Sequence, residues 1–481
     1  MVSVIRRKYL GGAAATLGGL LAAACGDPTV RYVGQPQAGP AGPAGPQGAK
    51  GETGAQGAQG AQGAAGIAAK KPPDLIFWHR IAPPHRFGLA DQVVVEHFKE
   101  NHPRGALVDI PTENSGGASM DKIKSFLAAD TPPNVWTPWQ VEAADLFALG
   151  ATVDLNAALR TNKDWAKTKP EMIQFLMDGV QWKGQQILMP MFPDPHALGF
   201  NTSILKEEGV DFPKEGYTWE DFDEIGKATV IPDERVLWSM RYSLYWTVIV
   251  FGPMNAAFPR DASQTFWKVD TPGMLEALEY AYNHHTRLGY SHTDIGKEGK
   301  FYFNNKAKVT EVINPGTVTP PRYPDVDPGD GSVIKLTHYP HGPGNGSKQI
   351  TTPGNCFGCV VFKVADSEAQ EVAADLAAWS VREDVQLLVS EASGHPPSNL
   401  AAGRNPAINK ALKDNPILHK LNELAQYDVP TPAAPSMAKM LFEIGQGVFD
   451  RLEKGELTPK AALEESQRLT APLYEADLEK G

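Results

Sequence analysis

Residues 182–205 constrain this chain more than any other run. Lys183-Gly184 reads as a turn, and Gln186 to Met189 as a short apolar strand closed by Pro190, which has no amide to give to a ladder. Ala197-Leu198-Gly199-Phe200-Asn201 reads as a second strand. Thr202 opens a short helix carrying Ile204 and Leu205, and Gly209 ends it. Two strand signals separated by a proline-broken connector predict a chain that crosses from one lobe to another.

The length agrees with that. A chain of 481 residues, 42% of them apolar, is too long for one compact core and predicts two lobes or more. The formal charge of -11 argues against a nucleic-acid partner, which would want a basic face. Three cysteines, Cys25, Cys356 and Cys359, do not make a disulfide scaffold.

Two N-terminal segments stand apart from the fold. Residues 1–25 are expected to be an export signal: Arg6-Arg7-Lys8-Tyr9-Leu10 fits a twin-arginine pattern, and a Gly/Ala-rich apolar run follows. Leu21-Ala22-Ala23-Ala24-Cys25 resembles a lipoprotein cleavage box, which would make Cys25 a lipidated N-terminus; the alternative is ordinary cleavage that leaves a thiol nearby. Within a 26–72 spacer, glycine falls at every third position from Gly39 to Gly66, with Pro40, Pro43 and Pro46 following the first three. This is a collagen-like repeat, because only glycine fits a triple-helix axis. It is either an extended spacer or a stalk that joins a homotrimer.

From Pro73 the pattern runs strand (Leu75–Trp78), helix (Asp91–Asn101, with Val94, His97 and Phe98 on one face), strand (Leu107–Ile110), helix (Met120–Ala129) and strand (Val135-Trp136). That alternation predicts an α/β fold with a mostly parallel sheet covered by helices. Ligands of such sheets bind at the carboxyl ends of the strands. Position alone therefore makes Trp78, His79, Asn114, Ser115, Trp136 and Trp139 candidates. Further on, Trp219–Ala228 reads as a helix capped by Thr218, Lys308–Ile313 and Ile334–Thr337 as strands, and Cys356–Phe362 as a returning strand. Glu368–Val389 reads as one long helix. Cys356 and Cys359 could pair as a disulfide outside the cytoplasm, but three apart on a strand they point to opposite faces, and the favoured reading is two free, partly buried thiols. His284-His285 reads as helix surface, and no metal or cofactor motif is present.

The motifs Gly184-Gln185-Gln186-Ile187-Leu188-Met189-Pro190, Phe200-Asn201 to Lys206-Glu207-Glu208-Gly209, and Thr218-Trp219-Glu220-Asp221-Phe222 resemble, in order and spacing, the solute-binding proteins of ATP-binding-cassette importers, in the maltose-binding-protein-like group. Weaker matches extend the resemblance over roughly 73–475. It implies a two-lobed periplasmic-binding-protein fold whose lobes, each a mostly parallel sheet flanked by helices, are discontinuous: 73–190 with 357–397, and 191–356 with 398–481. It also implies a binding protein rather than an enzyme, held outside the cytoplasmic membrane, with a small solute, most readily a sugar, and permease subunits as partners. No cofactor is expected. Cleft ligands of this kind meet aromatic faces and a few fixed polar groups. Trp78, Trp136, Trp139 and Trp246 are the candidate platforms; His79, Asn114, Ser115, Asp194 and Asn314 are the candidate polar contacts. Trp182, Trp219 and Trp379 are read as core. A secreted polysaccharide hydrolase, or a structural lipoprotein trimerised by its stalk, are the rival readings.

Overall fold

A computed structural model describes residues 75–105, 108–109, 119–231, 235–238, 243–258, 267–291, 311–313, 334–346, 352–412, 415–430 and 433–479. All of them fall within one compact unit, Lys70–Gly481. Asn114, Ser115, Asn314, Cys25 and the Gly39–Gly66 repeat lie outside the described residues.

The first sheet begins with β1 (Leu75–Trp78), β2 (Val108–Asp109) and β3 (Val135–Trp136). β1 lies between the other two, parallel to both. Helix Arg86–Asn101 covers this core with Ala90, Val94, Val95 and Phe98. It starts a turn earlier than its apolar spacing suggests, because the His85 imidazole caps it by accepting from the Phe87 amide. His97 is not on the buried face: its Nδ1 accepts from the Trp379 indole at 3.0 Å. After helix Met120–Ala128, helix Gln140–Ala148 follows β3.

The crossover starts with a hairpin of β4 (Gln181–Trp182) and β5 (Gln185–Gln186). Lys183 and Gly184 both take positive φ, 50° and 76°, as a two-residue turn matched to strand twist requires. The next strand departs from expectation. Pro190 does not close a strand; β6 (Met189–Pro195) runs through Pro190, Pro193 and Pro195. Among the described residues its one ladder is with β10 (Thr352–Val361). An edge strand tolerates residues that donate nothing on its free side. The change of sheet therefore falls at His196, where β6 gives way to β7 (Ala197–Asn201).

β7 is the centre of the second sheet, between β8 (Glu311–Ile313) and β9 (Ile334–Thr337). Both pairings are antiparallel, so among the described strands parallel pairing is found in the β2-β1-β3 core and between β10 and β11 (Asp428–Pro430). β10 returns antiparallel to both β3 and β6 and stitches the two halves of the first sheet together. Among the described residues Cys356 and Cys359 form no disulfide; both are fully buried on it, in different apolar clusters, as two-residue periodicity requires.

Capping in the second region follows the sequence. Thr218 and Asp221 form a reciprocal cap on helix Trp219–Thr229, and Thr458 caps the C-terminal helix Pro459–Glu479 by accepting from Ala461. The long helix read over 368–389 is two helices, Ser367–Trp379 and Glu383–Ser393. The break is held by side chains: Gln386 donates to the Ser380 carbonyl at 2.8 Å and to the Met191 carbonyl at 2.7 Å. His284 is a further correction. It is buried, and it binds Asp223 at 2.8 Å instead of facing solvent. Trp182, Trp219 and Trp379 are core, as read.

Candidate functional site

The floor of the crossover is polar. Asp194, two residues before the sheet change, accepts from the Arg86 guanidinium at 3.3 Å. Arg86 opens helix Arg86–Asn101, and both side chains are almost fully buried. His395 follows Gly394, whose φ of 74° ends helix Glu383–Ser393. Its ring lies on Phe192 at 4.0 Å and near Phe87 at 5.3 Å, with Nε2 3.8 Å from Asp194. Burial, and then the positive charges of Arg86 and His85, push its pKa well down, so it is neutral. On the other side of the connector, burial also lowers His196, with Asp194 and Arg86 acting in opposite senses.

A chain of rings runs over this floor. Phe87 meets Phe357 of β10 at 4.5 Å, and Phe357 lies nearly parallel to Trp139, 6.4 Å away. Trp139 meets Tyr245 at 5.6 Å and Phe442 at 5.2 Å, and those two meet each other at 5.1 Å. Tyr245 continues to Trp246, and Trp246 to His196 at 5.4 Å. Phe87, Trp139 and Phe357 come from elements on the first sheet. Tyr245, Trp246 and Phe442 come from the segment between β7 and β8 and from the segment after β11. Phe442 is 40% exposed, and Trp139 and Trp246 are half-buried. Trp139 is fixed where it leaves β3: its amide donates to Glu142 at 3.1 Å, and Glu142 pairs with Arg80. Its indole N–H is buried and meets no acceptor among the described residues.

The structure separates the residues named from sequence. Trp139 and Trp246 join one ring chain. Trp136 does not: it is 0% exposed, registered between Trp78 of β1 and Val360 of β10. It belongs to an apolar cluster with Ile123, Val141 and Ile187, and the ring has no free face. Trp78 is half-buried elsewhere, against Phe126 at 5.1 Å and beneath the Lys122 ammonium at 4.1 Å. His79 is a buried structural group, its Nδ1 3.0 Å from Asp91, which also accepts from Thr137. Asp194 belongs to the floor through Arg86. Sequence reading missed Arg86, Phe87, His196, Phe442 and His395 as site residues. No periodicity marks them, since they come from four separate segments. Among the described residues no group of three or more His, Cys, Asp or Glu side chains could hold a metal ion, and no helix is long and apolar enough to cross a membrane.

No curated protein matches the chain by sequence. Solved structures do match in fold. The cyclic alpha-maltosyl-1,6-maltose binding protein of Arthrobacter globiformis aligns at a TM-score of 0.66 and 17% identity, covering 85% of this chain and 100% of that one. An ABC substrate-binding protein of Listeria monocytogenes, solved in complex with cycloalternan, aligns at 0.65 and 16%, covering 83% and 99%. UgpB of Mycobacterium tuberculosis, solved with glycerophosphocholine, aligns at 0.63 and 14%, covering 85% and 98%. The fold is thus the two-lobed one of periplasmic binding proteins, similar to maltose-binding-protein-like ABC substrate-binding proteins. The model of the family described as bacterial extracellular solute-binding protein matches residues 94–419, most of the chain, and the protein belongs to that family.

Proposed function

We propose that this protein captures a carbohydrate between its lobes and delivers it to the permease of an ATP-binding-cassette importer. The observation that carries the reading is the ring chain from Phe87 and Trp139 to Tyr245, Trp246 and Phe442, drawn from both sides of the crossover. Sugars present apolar CH faces that stack on such rings and hydroxyls that bind fixed polar groups. Two neighbours in fold were solved with, or are named for, cyclic saccharides, and another was solved with tagatose. The lobes, 73–190 with 357–397 and 191–356 with 398–481, hinge about the crossover and β10. A ligand held by both lobes favours the closed state, and moving from mostly open to mostly closed takes about 5.5 kcal/mol of differential affinity.

Around this domain, Cys25 is the lipid attachment point outside the cytoplasmic membrane, and the Gly39–Gly66 repeat is the spacer that lifts the lobes from it. The protein acts as a binder, not an enzyme.

Thermal-shift screening of the purified chain against sugars tests the capture. Ligand at 100 times its Kd stabilises by about 2.7 kcal/mol, and the same sugar should contract the particle in small-angle scattering. Trp139→Ala and Trp246→Ala should each weaken binding while the protein stays folded. Turnover of any glycan by the pure chain, or unaltered affinity in both variants, would sink the reading. Cys25→Ser should move the protein from the membrane fraction to the soluble one; continued sedimentation with membranes rejects the anchor.

A further inference from the structure

His196 is the residue at which the chain leaves the first sheet for the second, between Pro195 and Ala197. It is 4% exposed, and neither of its ring nitrogens has a hydrogen-bond partner among the described residues. That is unusual for a buried imidazole, which ordinarily satisfies at least one nitrogen. His79 and His284, also buried, each satisfy a nitrogen, on Asp91 at 3.0 Å and on Asp223 at 2.8 Å; His395, 0% exposed, matches neither nitrogen among the described residues, though its Nε2 lies 3.8 Å from Asp194 in the polar floor. His196 instead stands with its ring against Trp246, 5.4 Å between centroids and 59° between planes. It occupies one end of the ring chain. Trp139, further along the same chain, also carries a buried polar atom without a partner among the described residues, its indole Nε1.

Polar atoms left unmatched at a site of stacked rings are what a site looks like when its hydrogen-bonding partner comes from the ligand. Resting on the solute-capture reading above, we propose that His196 is a specificity-determining contact for the solute and that it selects an uncharged, hydroxyl-bearing one. The chemistry restricts the class. A neutral imidazole has one donor and one acceptor nitrogen, and a hydroxyl can answer either. A phosphate or carboxylate only accepts, and an ammonium only donates. The surroundings supply no net charge to favour an ion: Asp194 and Arg86 act on His196 in opposite directions and pair with each other at 3.3 Å. Burial keeps the ring itself neutral. The Trp139 N–H adds a second donor for a hydroxyl oxygen.

Titration calorimetry on the full chain tests this. The probes are glucose, maltose and maltotriose against glucose 6-phosphate and glycerophosphocholine. His196→Phe keeps a ring against Trp246 and removes both nitrogens; His196→Leu serves if the larger ring disturbs folding. Wild type should bind at least one neutral sugar and neither charged probe. The His196 variant should bind that sugar about 10-fold more weakly or worse, the loss of one or more hydrogen bonds. Its melting temperature without ligand should not fall below that of wild type, since it trades unmatched polar atoms for carbon. Unchanged sugar affinity in the His196 variant, with affinity lost in Trp246→Ala, overturns the role of His196 and leaves sugar capture standing. Preferential binding of glucose 6-phosphate or glycerophosphocholine overturns the uncharged class. Binding of none of the probes by wild type overturns the capture reading and this inference with it.

Discussion

Asp194→Ala takes away the carboxylate that faces the Arg86 guanidinium under the crossover. The two side chains are 6% and 8% exposed and lie 3.3 Å apart. At an effective dielectric of about 20, that separation corresponds to about 5 kcal/mol of attraction. Breaking such a buried pair by removing one partner costs about 3–5 kcal/mol, because the remaining charge stays out of water. Asp194→Asn keeps an oxygen for Arg86 and should cost less than the alanine. The double variant Arg86→Met/Asp194→Leu removes both charges and should lie within about 2 kcal/mol of wild type, well short of the sum of the singles. Urea unfolding followed by tryptophan fluorescence gives the stabilities of wild type, of Asp194→Ala and Asp194→Asn, and of the double variant with its two singles, Arg86→Met and Asp194→Leu. If Asp194→Ala falls within about 0.5 kcal/mol of wild type, or the double variant equals the sum of the singles, the pair does not hold the floor and Asp194 is released for another role.

Gly358→Ala would place a Cβ 1.8 Å from the Met189 carbonyl oxygen, backbone against backbone where β10 pairs with β6; a loss of about 3 kcal/mol or more is expected in urea unfolding. Gly447→Ala, in helix Gly445–Glu453 with nothing within 4 Å of the added methyl, should instead stabilise by about 0.5–1 kcal/mol in the same assay. Burial holds the Asp145 carboxyl above its usual range although Ser436 donates its amide to it at 2.7 Å. A raised carboxyl binds its proton more tightly folded than unfolded, so this group erodes stability as pH rises through that range. Asp145→Asn, which keeps an acceptor for Ser436, should be more stable than wild type near pH 7 and lose that advantage below about pH 4; an advantage independent of pH refutes the assignment. Burial also pushes the Cys359 thiol far up, so the native protein should resist maleimide at Cys356 and Cys359 until denaturant is added. Rapid labelling of the folded chain would contradict their burial.

Much of the local structure was legible from local chemistry. Lys183-Gly184 turns because a two-residue hairpin needs positive φ, and Gly184 takes 76° without strain. Thr218 and Asp221 announce a helix start because their side chains satisfy amides that no helix satisfies for itself. Asn201, Thr458 and Gly394 act within a turn or two of their own position in the same way. Ordered motifs from Gly184 to Phe222 were enough to place the chain among the solute-binding proteins. Other features depended on partners distant in sequence. β6 runs through three prolines because β10, arriving some 160 residues later, pairs along one side of it. The helix read over 368–389 breaks because Gln386 reaches the Met191 carbonyl. Trp136 and Trp139 are alike in type and three residues apart, yet the first is enclosed in an apolar cluster built from distant segments while the second stands among rings from 245 and 442. Turns and caps answer to a few neighbouring residues, and those are written side by side. Burial of a tryptophan, pairing of Asp194 with Arg86, and the unmatched nitrogens of His196 are set by which distant segments the chain brings back to the crossover, and that is a property of the packed fold.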